Sequence, residues 1–241
     1  MSAPIPKSPA ATTPGQFLES TLHACDIARR AAVALAKGIA QGSPELTATV
    51  RKYEEELDTL DREINEGVTS SITGTTEEHA RELLACLKFI LELERIGDLL
   101  LNATNRLATA ASRIHRQDAK DLSAMASVVA TMLEDVQRAF ADRDLERAIR
   151  VLKADAELDR LRNMMFIRHI ENPEGEALRE GFHVLSMTQS LERAGDHAKN
   201  LAEEICHLVS GRSVRHLLRQ YDKPDEQVFV EQLRRKLAQK R

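Results

Sequence analysis

The feature of this sequence that most constrains its fold is an internal repeat. Residues 93–102 read LERIGDLLLN, and residues 191–200, which lie 98 positions further along the chain, read LERAGDHAKN. The apolar positions of residues 50–64 recur in residues 151–165 at a displacement of 101. A repeat of about one hundred residues has a normal size for a domain. The chain is therefore predicted to contain two copies of one folding unit.

Both copies have the apolar pattern of helices. Only 3% of the residues are aromatic and none is Trp, whereas Ala, Leu, Glu and Arg, which favour helices, dominate. Clusters of Gly, Pro or polar residues separate six helical stretches near residues 42–44, 73–75, 116–118, 142–144 and 172–175. Within the stretches, apolar side chains recur at spacings of three and four. The predicted fold class is therefore all-α, with two tandem, internally duplicated three-helix bundles.

These patterns divide the chain into four parts. Residues 1–15 are rich in Pro, Ala, Ser and Thr without periodicity and are predicted to be disordered. The first three-helix bundle is expected at residues 16–115 and the second at residues 116–212. Residues 213–241 are predicted to be a linker and an amphipathic basic tail. This tail forms either a solvated terminal helix or a docking segment for a partner or an anionic membrane surface.

The charge and the cysteines argue against several classes of protein. Lys and Arg number 34 against 38 Asp and Glu, a net charge of −4, so no overall basic field is available to bind nucleic acid. No stretch approaches the ~18 apolar residues of a membrane span. Cys25, Cys86 and Cys206 are widely spaced within helical patterns and are expected to be buried thiols. We therefore expect a protein of the reducing cytoplasm.

Acidic residues occur in pairs on the repeated helices. Side chains four residues apart project from one face of a helix about 6 Å apart, where two like charges are destabilising. In an antiparallel hairpin, the two pairs of each unit fall within about one helical turn of the same level. Each unit is therefore predicted to bring four carboxylates together around a cation. The pairs are Glu54 and Asp58, Glu94 and Asp98, Asp155 and Asp159, and Glu192 and Asp196.

Leucine-rich stripes lead into the acids of the third and sixth helices, which suggests that these acids are half-buried. Buried carboxylates must be protonated, paired with Arg or Lys, or bound to a metal. Arg95 and Arg193 could satisfy them as salt bridges; otherwise their oxygens suit iron, magnesium, manganese, calcium or zinc. The stripes are Leu84, Leu87 and Leu91 before Glu94 and Asp98, and Leu178, Phe182 and Leu185 before Glu192 and Asp196.

Two glycines inside the same helices repeat with the acids. Gly costs about 1 kcal/mol relative to Ala in the interior of a helix, so its recurrence at Gly97 and Gly195 needs a reason. Close approach of the backbone to another helix or to an ion is the expected reason.

An enzyme is the less favoured alternative. Carboxylate-bridged di-metal enzymes carry Glu-x-x-His motifs on two facing helices, and this chain has the motif at Glu180 with His183 and at Glu204 with His207. Both motifs lie on the sixth helix, 24 residues or about 36 Å apart. No catalytic residue is therefore predicted.

The repeated segments resemble a known family. LERIGDLLLN and LERAGDHAKNLAEEICHLVSGRSVRH are similar to the signature helices of PhoU, a family of bacterial phosphate-signalling regulators, and the similarity spans about residues 17–216. The acidic pairs of the second and fifth helices fall where the family has its E/D-x-x-x-D motif. The resemblance implies a fold of two related three-helix bundles, with metal clusters bound in some members by motifs that match the eight acids above.

The resemblance also implies a function without catalysis. PhoU-like proteins act as negative regulators of phosphate uptake and of the phosphate-starvation response, between the ATPase subunit of a phosphate transporter and a sensor histidine kinase. A homo-oligomer, with a dimer favoured, is also expected, reaching the membrane only through its partners. The remaining alternative is a helical structural adaptor whose carboxylates are merely solvated.

Overall fold

The computed structural model describes residues 14–43, 47–110, 113–171 and 177–210, and these form six helices. No strand occurs within these ranges. The all-α prediction is therefore confirmed. The helices are α1 (Pro14–Gln41), α2 (Thr47–Ser71), α3 (Glu77–Ala110), α4 (Arg116–Asp142), α5 (Leu145–Glu171) and α6 (Ala177–Ser210).

Local chemistry ends the helices close to the predicted breaks. Gly74, between α2 and α3, has a φ of +80°, a conformation that glycine adopts without strain. Arg143 ends α4 with a left-handed φ of 55°. The carboxylate of Asp144 then caps α5 by accepting hydrogen bonds from the amides of Glu146 and Arg147 at 2.9 and 3.2 Å.

Two predicted boundaries differ from the structure. The polar run 116–118 is the first turn of α4 and not a break, because the ring of His115 caps that turn by accepting from the amide of Gln117 at 3.3 Å. Pro14 and Gly15, predicted to be disordered, begin α1, where Pro is well suited to the first turn. The break at 172–175 and the tail at 213–241 lie outside the described residues.

α3 buries a different stripe from the predicted one. Leu84 and Leu91 are 43% and 48% exposed, and Phe182 on α6 is 60% exposed. α3 packs against α1, α2 and α6, so it is apolar around most of its circumference and offers two neighbouring leucine stripes. The predicted stripe is therefore exposed at Leu84, Leu91 and Phe182, and its leucines do not form the core of α3. The acids Glu94, Asp98 and Glu192 are nevertheless half-buried, as expected, and Asp196 is the most exposed of the four. The buried stripe of α3 consists of Leu83, Cys86, Ile90, Leu93, Ile96, Leu100 and Leu107.

The two units pack side by side with their helices antiparallel. α1 lies along α4, and α3 lies along α6. Lys88 near the start of α3 binds Glu204 near the end of α6, whereas Glu92 further along α3 binds the earlier residue His197 at 2.6 Å. Residues later in α3 therefore contact residues earlier in α6, so the two helices run antiparallel. This is the arrangement of two similar units related by an approximate two-fold axis. α2 and α5 lie on the outer sides of this central four-helix layer.

The three cysteines are free and buried, as predicted. Burial raises the pKa of the Cys206 thiol to about 12, and it also raises the pKa of Cys25 and of Cys86. These thiols are therefore protonated and unreactive at neutral pH. Among the described helices, none is long and apolar enough to cross a membrane.

Candidate metal-binding site

The first unit carries a cluster of acids that we call the first acidic face. Burial raises the pKa of Glu54, and the charges of Asp58 on the same helix and Asp98 on α3 raise it further. Burial and the charge of Asp98 also raise the pKa of Glu94, with smaller contributions from α2. Acids of the two helices therefore face and repel one another. The first acidic face consists of Glu54, Asp58 and Asp61 on α2 and Glu94 and Asp98 on α3.

Little positive charge balances the first acidic face. Arg95 lies 3.4 Å from Glu94, but its side chain is 65% exposed, so solvent screens this ion pair. Glu54, Asp58 and Asp98 form no ion pair with any described residue. Metal ions with a preference for oxygen ligands match this chemistry, because they neutralise carboxylates that lack a counter-ion.

The second unit carries the equivalent acids, and its own cations bind them. The second acidic face consists of Asp155 and Asp159 on α5 and Glu192 and Asp196 on α6. The guanidinium of Arg162 pairs with Glu192 and also with Asp159, at 3.3 Å. The ammonium of Lys199 donates a hydrogen bond to Asp155, which is only 7% exposed.

Burial raises the pKa of two acids of the second acidic face. The neighbouring charge of Asp196 adds to the effect on Glu192, against the opposing charge of Arg162. For Asp196, the charge of Asp155 adds to burial and the charge of Lys199 opposes it. Acids of α5 and α6 therefore face each other, as those of α2 and α3 do.

The side chains do not form a completed metal site as they are placed. In the described ranges, no group of three or more His, Cys, Asp or Glu side chains is arranged to hold a metal ion. The facing of the acids agrees with the predicted hairpins, but their carboxylates do not converge on one point. Metal binding by these eight acids stays a prediction.

The alternative of Arg salt bridges holds only in part. Arg95 binds Glu94 as considered, whereas Arg193 forms no ion pair with a described residue. The cations that neutralise the second acidic face, Arg162 and Lys199, were not predicted. Comparison of the two repeats would have revealed them, because Asp61 stands 101 positions before Arg162 and Leu101 stands 98 positions before Lys199.

Removing one charge from the first acidic face is predicted to stabilise the metal-free protein. Asp58→Asn relieves repulsion on Glu54 and Glu94, so the free energy of unfolding in the presence of a chelator should rise by about 0.3 kcal/mol. The matched variant Asp159→Asn instead loses the Arg162 ion pair and should not gain stability. Urea unfolding measures both, and an equal rise in both variants would contradict the difference between the faces.

The repeated glycines allow close helix packing, as predicted. A Cβ atom on Gly97 would lie 2.8 Å from Cδ1 of Leu57, and one on Gly195 would lie 2.2 Å from Cδ1 of Leu158. Both leucines are buried on the neighbouring outer helix, between the two acids of the pair on that helix. The glycines therefore bring α2 close to α3, and α5 close to α6, at the level of the acids.

Gly195→Ala is predicted to destabilise the protein. Leu158 is fully buried, so its side chain must move within a packed core to admit the added Cβ, and this should cost about 1–3 kcal/mol in spite of the better helix propensity of Ala. Thermal unfolding should show a clear loss for Gly195→Ala and a smaller one for Gly97→Ala. Gly15→Ala, with nothing within 4 Å of the added Cβ, is the control and should be neutral or stabilising. A Gly195→Ala protein as stable as the parent would disprove the close contact.

The two Glu-x-x-His motifs do not converge on one site. Glu180 lies 3.3 Å from Arg113, and Glu204 accepts hydrogen bonds from Lys88 at 2.9 and 3.0 Å. Each glutamate therefore forms an ion pair with a residue of the first unit, and the two glutamates lie near opposite ends of α6.

Comparison with known proteins identifies the family. The family model described as PhoU domain matches residues 22–107 and 122–205, one match in each unit. Relatives named "Phosphate-specific transport system accessory protein PhoU homolog" include one from Caulobacter vibrioides, 31% identical over 182 residues, which cover 73% of this chain and 79% of the relative. The "PhoU homolog 1" of Thermotoga maritima is 29% identical over 184 residues, 72% of this chain and 77% of the relative.

Solved structures show the same fold. The crystal structure of PhoU from Pseudomonas aeruginosa matches with a TM-score of 0.76 and 22% identity, over 82% of this chain and 97% of that protein. The PhoU structure from Streptococcus pneumoniae matches with a TM-score of 0.72 and 18% identity, over 83% and 97%. Both repeats match the family model and together span more than half of the sequence. This chain therefore belongs to the PhoU family.

Proposed function

We propose that this chain is a negative regulator of phosphate uptake and of phosphate-starvation signalling. The observation that carries the proposal is the match of both units to the PhoU domain, together with relatives named as accessory proteins of a phosphate-specific transport system. The chain acts without catalysis, as an adaptor between the ATPase subunit of a phosphate transporter and a sensor histidine kinase. It works in the cytoplasm as a homodimer and reaches the membrane only through these partners.

A metal ion stabilises this adaptor at the first acidic face. Glu54, Asp58, Glu94 and Asp98 would hold the ion, which neutralises their mutual repulsion and links α2 to α3. The raised pKa values of Glu54 and Glu94 agree with this role, because burial and the charges of Asp58 and Asp98 disfavour the ionised carboxylates, and a bound cation would offset both effects. Iron, magnesium, manganese and zinc all suit carboxylate oxygens, and the donor set alone does not choose among them.

The transporter or the kinase binds the exposed surface of α3 and α6. Leu84 and Phe182 occupy equivalent positions of the two repeats, 98 residues apart, and are 43% and 60% exposed. Cations lie next to both of them: Lys88 one turn beyond Leu84, and Arg106 over the ring of Phe182, 5.6 Å from its centroid. Leu84 and Phe182 lie near opposite ends of the antiparallel α3–α6 pair, so they provide two separate contact points, each an exposed apolar side chain beside a cation.

Deletion of the gene tests the proposed function. In phosphate-rich medium, deletion should switch on phosphate-starvation genes, and a restored copy of the full chain should switch them off, as read by a reporter. Leu84→Asp combined with Phe182→Asp should fail to restore repression, whereas Ile72→Asp, at another exposed apolar residue, should restore it. Starvation genes that stay off after deletion would refute the assignment.

A helical adaptor without metal is the second candidate. The second acidic face favours it, because Arg162 and Lys199 neutralise these acids without an ion. The metal content of the isolated protein separates the two candidates, whereas the deletion phenotype is common to both.

A further inference from the structure

The two acidic faces differ at two positions that the internal repeat makes equivalent. Arg162 on α5 corresponds to Asp61 on α2, and Lys199 on α6 corresponds to Leu101 on α3. The four acid positions keep a carboxylate in both repeats: Asp155 stands in place of Glu54, and the other three positions have the same residue. The second repeat therefore has two cations where the first has an acid and an apolar residue.

The side chains at these positions produce opposite charge balances. On the second face, Arg162 bridges Asp159 of α5 to Glu192 of α6, and Lys199 of α6 binds Asp155 of α5. Both cations thus link the two helices through the acids, as a metal ion would. The second acidic face is neutralised by side chains that are covalently part of the chain and always present.

On the first face, the equivalent positions supply no positive charge. Asp61 adds a carboxylate, whose pKa burial raises, and it binds the amide of Asn65 at 2.8 Å. Leu101 has no charge to offer. Five acids on this face are opposed by the exposed Arg95 and, at Glu54, by the charge of the exposed Arg51. Four acids on the second face are opposed by two cations that pair with them across the two helices.

We infer that metal binding in this protein is confined to the first unit, and that Arg162 and Lys199 occupy the second acidic face in place of a metal ion. The inference rests on the proposed metal binding of the first face. It assigns different roles to the two repeats: the link between α5 and α6 is permanent, whereas the link between α2 and α3 depends on an added cation.

Substitutions on the two acidic faces test this inference through the binding of Mn²⁺. Full-length protein is titrated with Mn²⁺ alone, and free Mn²⁺ is followed by electron paramagnetic resonance. The matched pair Asp58→Asn/Asp98→Asn and Asp159→Asn/Asp196→Asn removes equivalent acids from each face. The variant Arg162→Asp/Lys199→Leu gives the second face the residues of the first. Circular dichroism establishes that each variant is folded.

The expected results separate the faces. Asp58→Asn/Asp98→Asn should weaken Mn²⁺ binding at least tenfold, and Asp159→Asn/Asp196→Asn should leave it unchanged. Arg162→Asp/Lys199→Leu should about double the Mn²⁺ bound per chain. Loss of bound Mn²⁺ in Asp159→Asn/Asp196→Asn would overturn the inference, and so would a folded Arg162→Asp/Lys199→Leu protein without added binding. A parent chain that binds no Mn²⁺ would refute the metal part of the proposed function and still agree with an unbound second face.

Discussion

Arg168→Met is expected to lower the free energy of unfolding by about 3–5 kcal/mol. Arg168 near the end of α5 donates hydrogen bonds to Asp118 at 2.6 Å and Asp121 at 2.8 Å, both at the start of α4. The side chains of these aspartates are only 4% and 10% exposed. Burial alone would lower the pKa of the guanidinium, but its bonds to the two carboxylates outweigh burial and raise it. Methionine keeps the length of the side chain and leaves two buried charges without this partner.

Arg160→Met on the same helix is the matched control. Arg160 binds Glu157 at 2.6 Å, but both side chains are about half exposed, so removal of this pair should change stability little. Chemical unfolding monitored by circular dichroism measures both variants. Equal stabilities for Arg168→Met and Arg160→Met would contradict the structural role of the buried cluster.

Phe89→Ala is expected to lower the free energy of unfolding by about 3–5 kcal/mol, because it leaves a cavity in a fully buried region. The ring of Phe89 on α3 stacks on Phe140 of α4, with centroids 4.0 Å apart and planes at 22°. This contact joins the first unit to the second, so the variant should destabilise both units together. The unfolding temperature of a protein of this size should fall by roughly 10 °C.

Phe182→Ala controls for the loss of an aromatic ring. Its side chain is 60% exposed, so the variant should stay within about 0.5 kcal/mol of the parent. Differential scanning calorimetry compares the two. Two separate transitions in Phe89→Ala, with one at the temperature of the parent, would show that the units are stable independently and that the stack does not couple them.

Much of the fold was predictable, because a helix that buries one face has apolar residues at regular spacings, and a repeated structural unit has a repeated sequence. The apolar side chains of α4 that recur at spacings of three and four, from Leu122 to Phe140, are fully buried, and on α2 Val50, Leu57 and Ile64 are buried as well. These helices have one apolar side, so the sequence pattern identifies which side is buried. The equal length of the repeats also predicted the two matching units.

α3 shows where periodicity becomes ambiguous. It contacts helices on several sides, so leucines occupy more of its circumference than one stripe requires. The buried Leu83 and the exposed Leu84 are neighbours, and the pattern alone does not rank them. The side-by-side pairing of the units was likewise not predicted, because Lys88 and Glu204 lie 116 residues apart and no local signal joins them.

At the site, the sequence predicted the acids and missed their counter-ions. Acids four residues apart can be recognised in the sequence, because helix geometry places them on one face. The reach of Arg162 from α5 to Glu192 depends on the packing of two helices and on one side-chain conformation. The cluster of Asp118, Asp121 and Arg168 was missed for the same reason, since its residues come from the two ends of a long hairpin.

The metal content of the protein as isolated tests the central claim most directly. The full chain is purified without chelator, and its metals are measured by inductively coupled plasma mass spectrometry. We expect at least one metal ion per chain in the parent and in Asp159→Asn/Asp196→Asn, and almost none in Asp58→Asn/Asp98→Asn. A metal-free parent, or a metal that persists in Asp58→Asn/Asp98→Asn, would contradict a cation at the first acidic face.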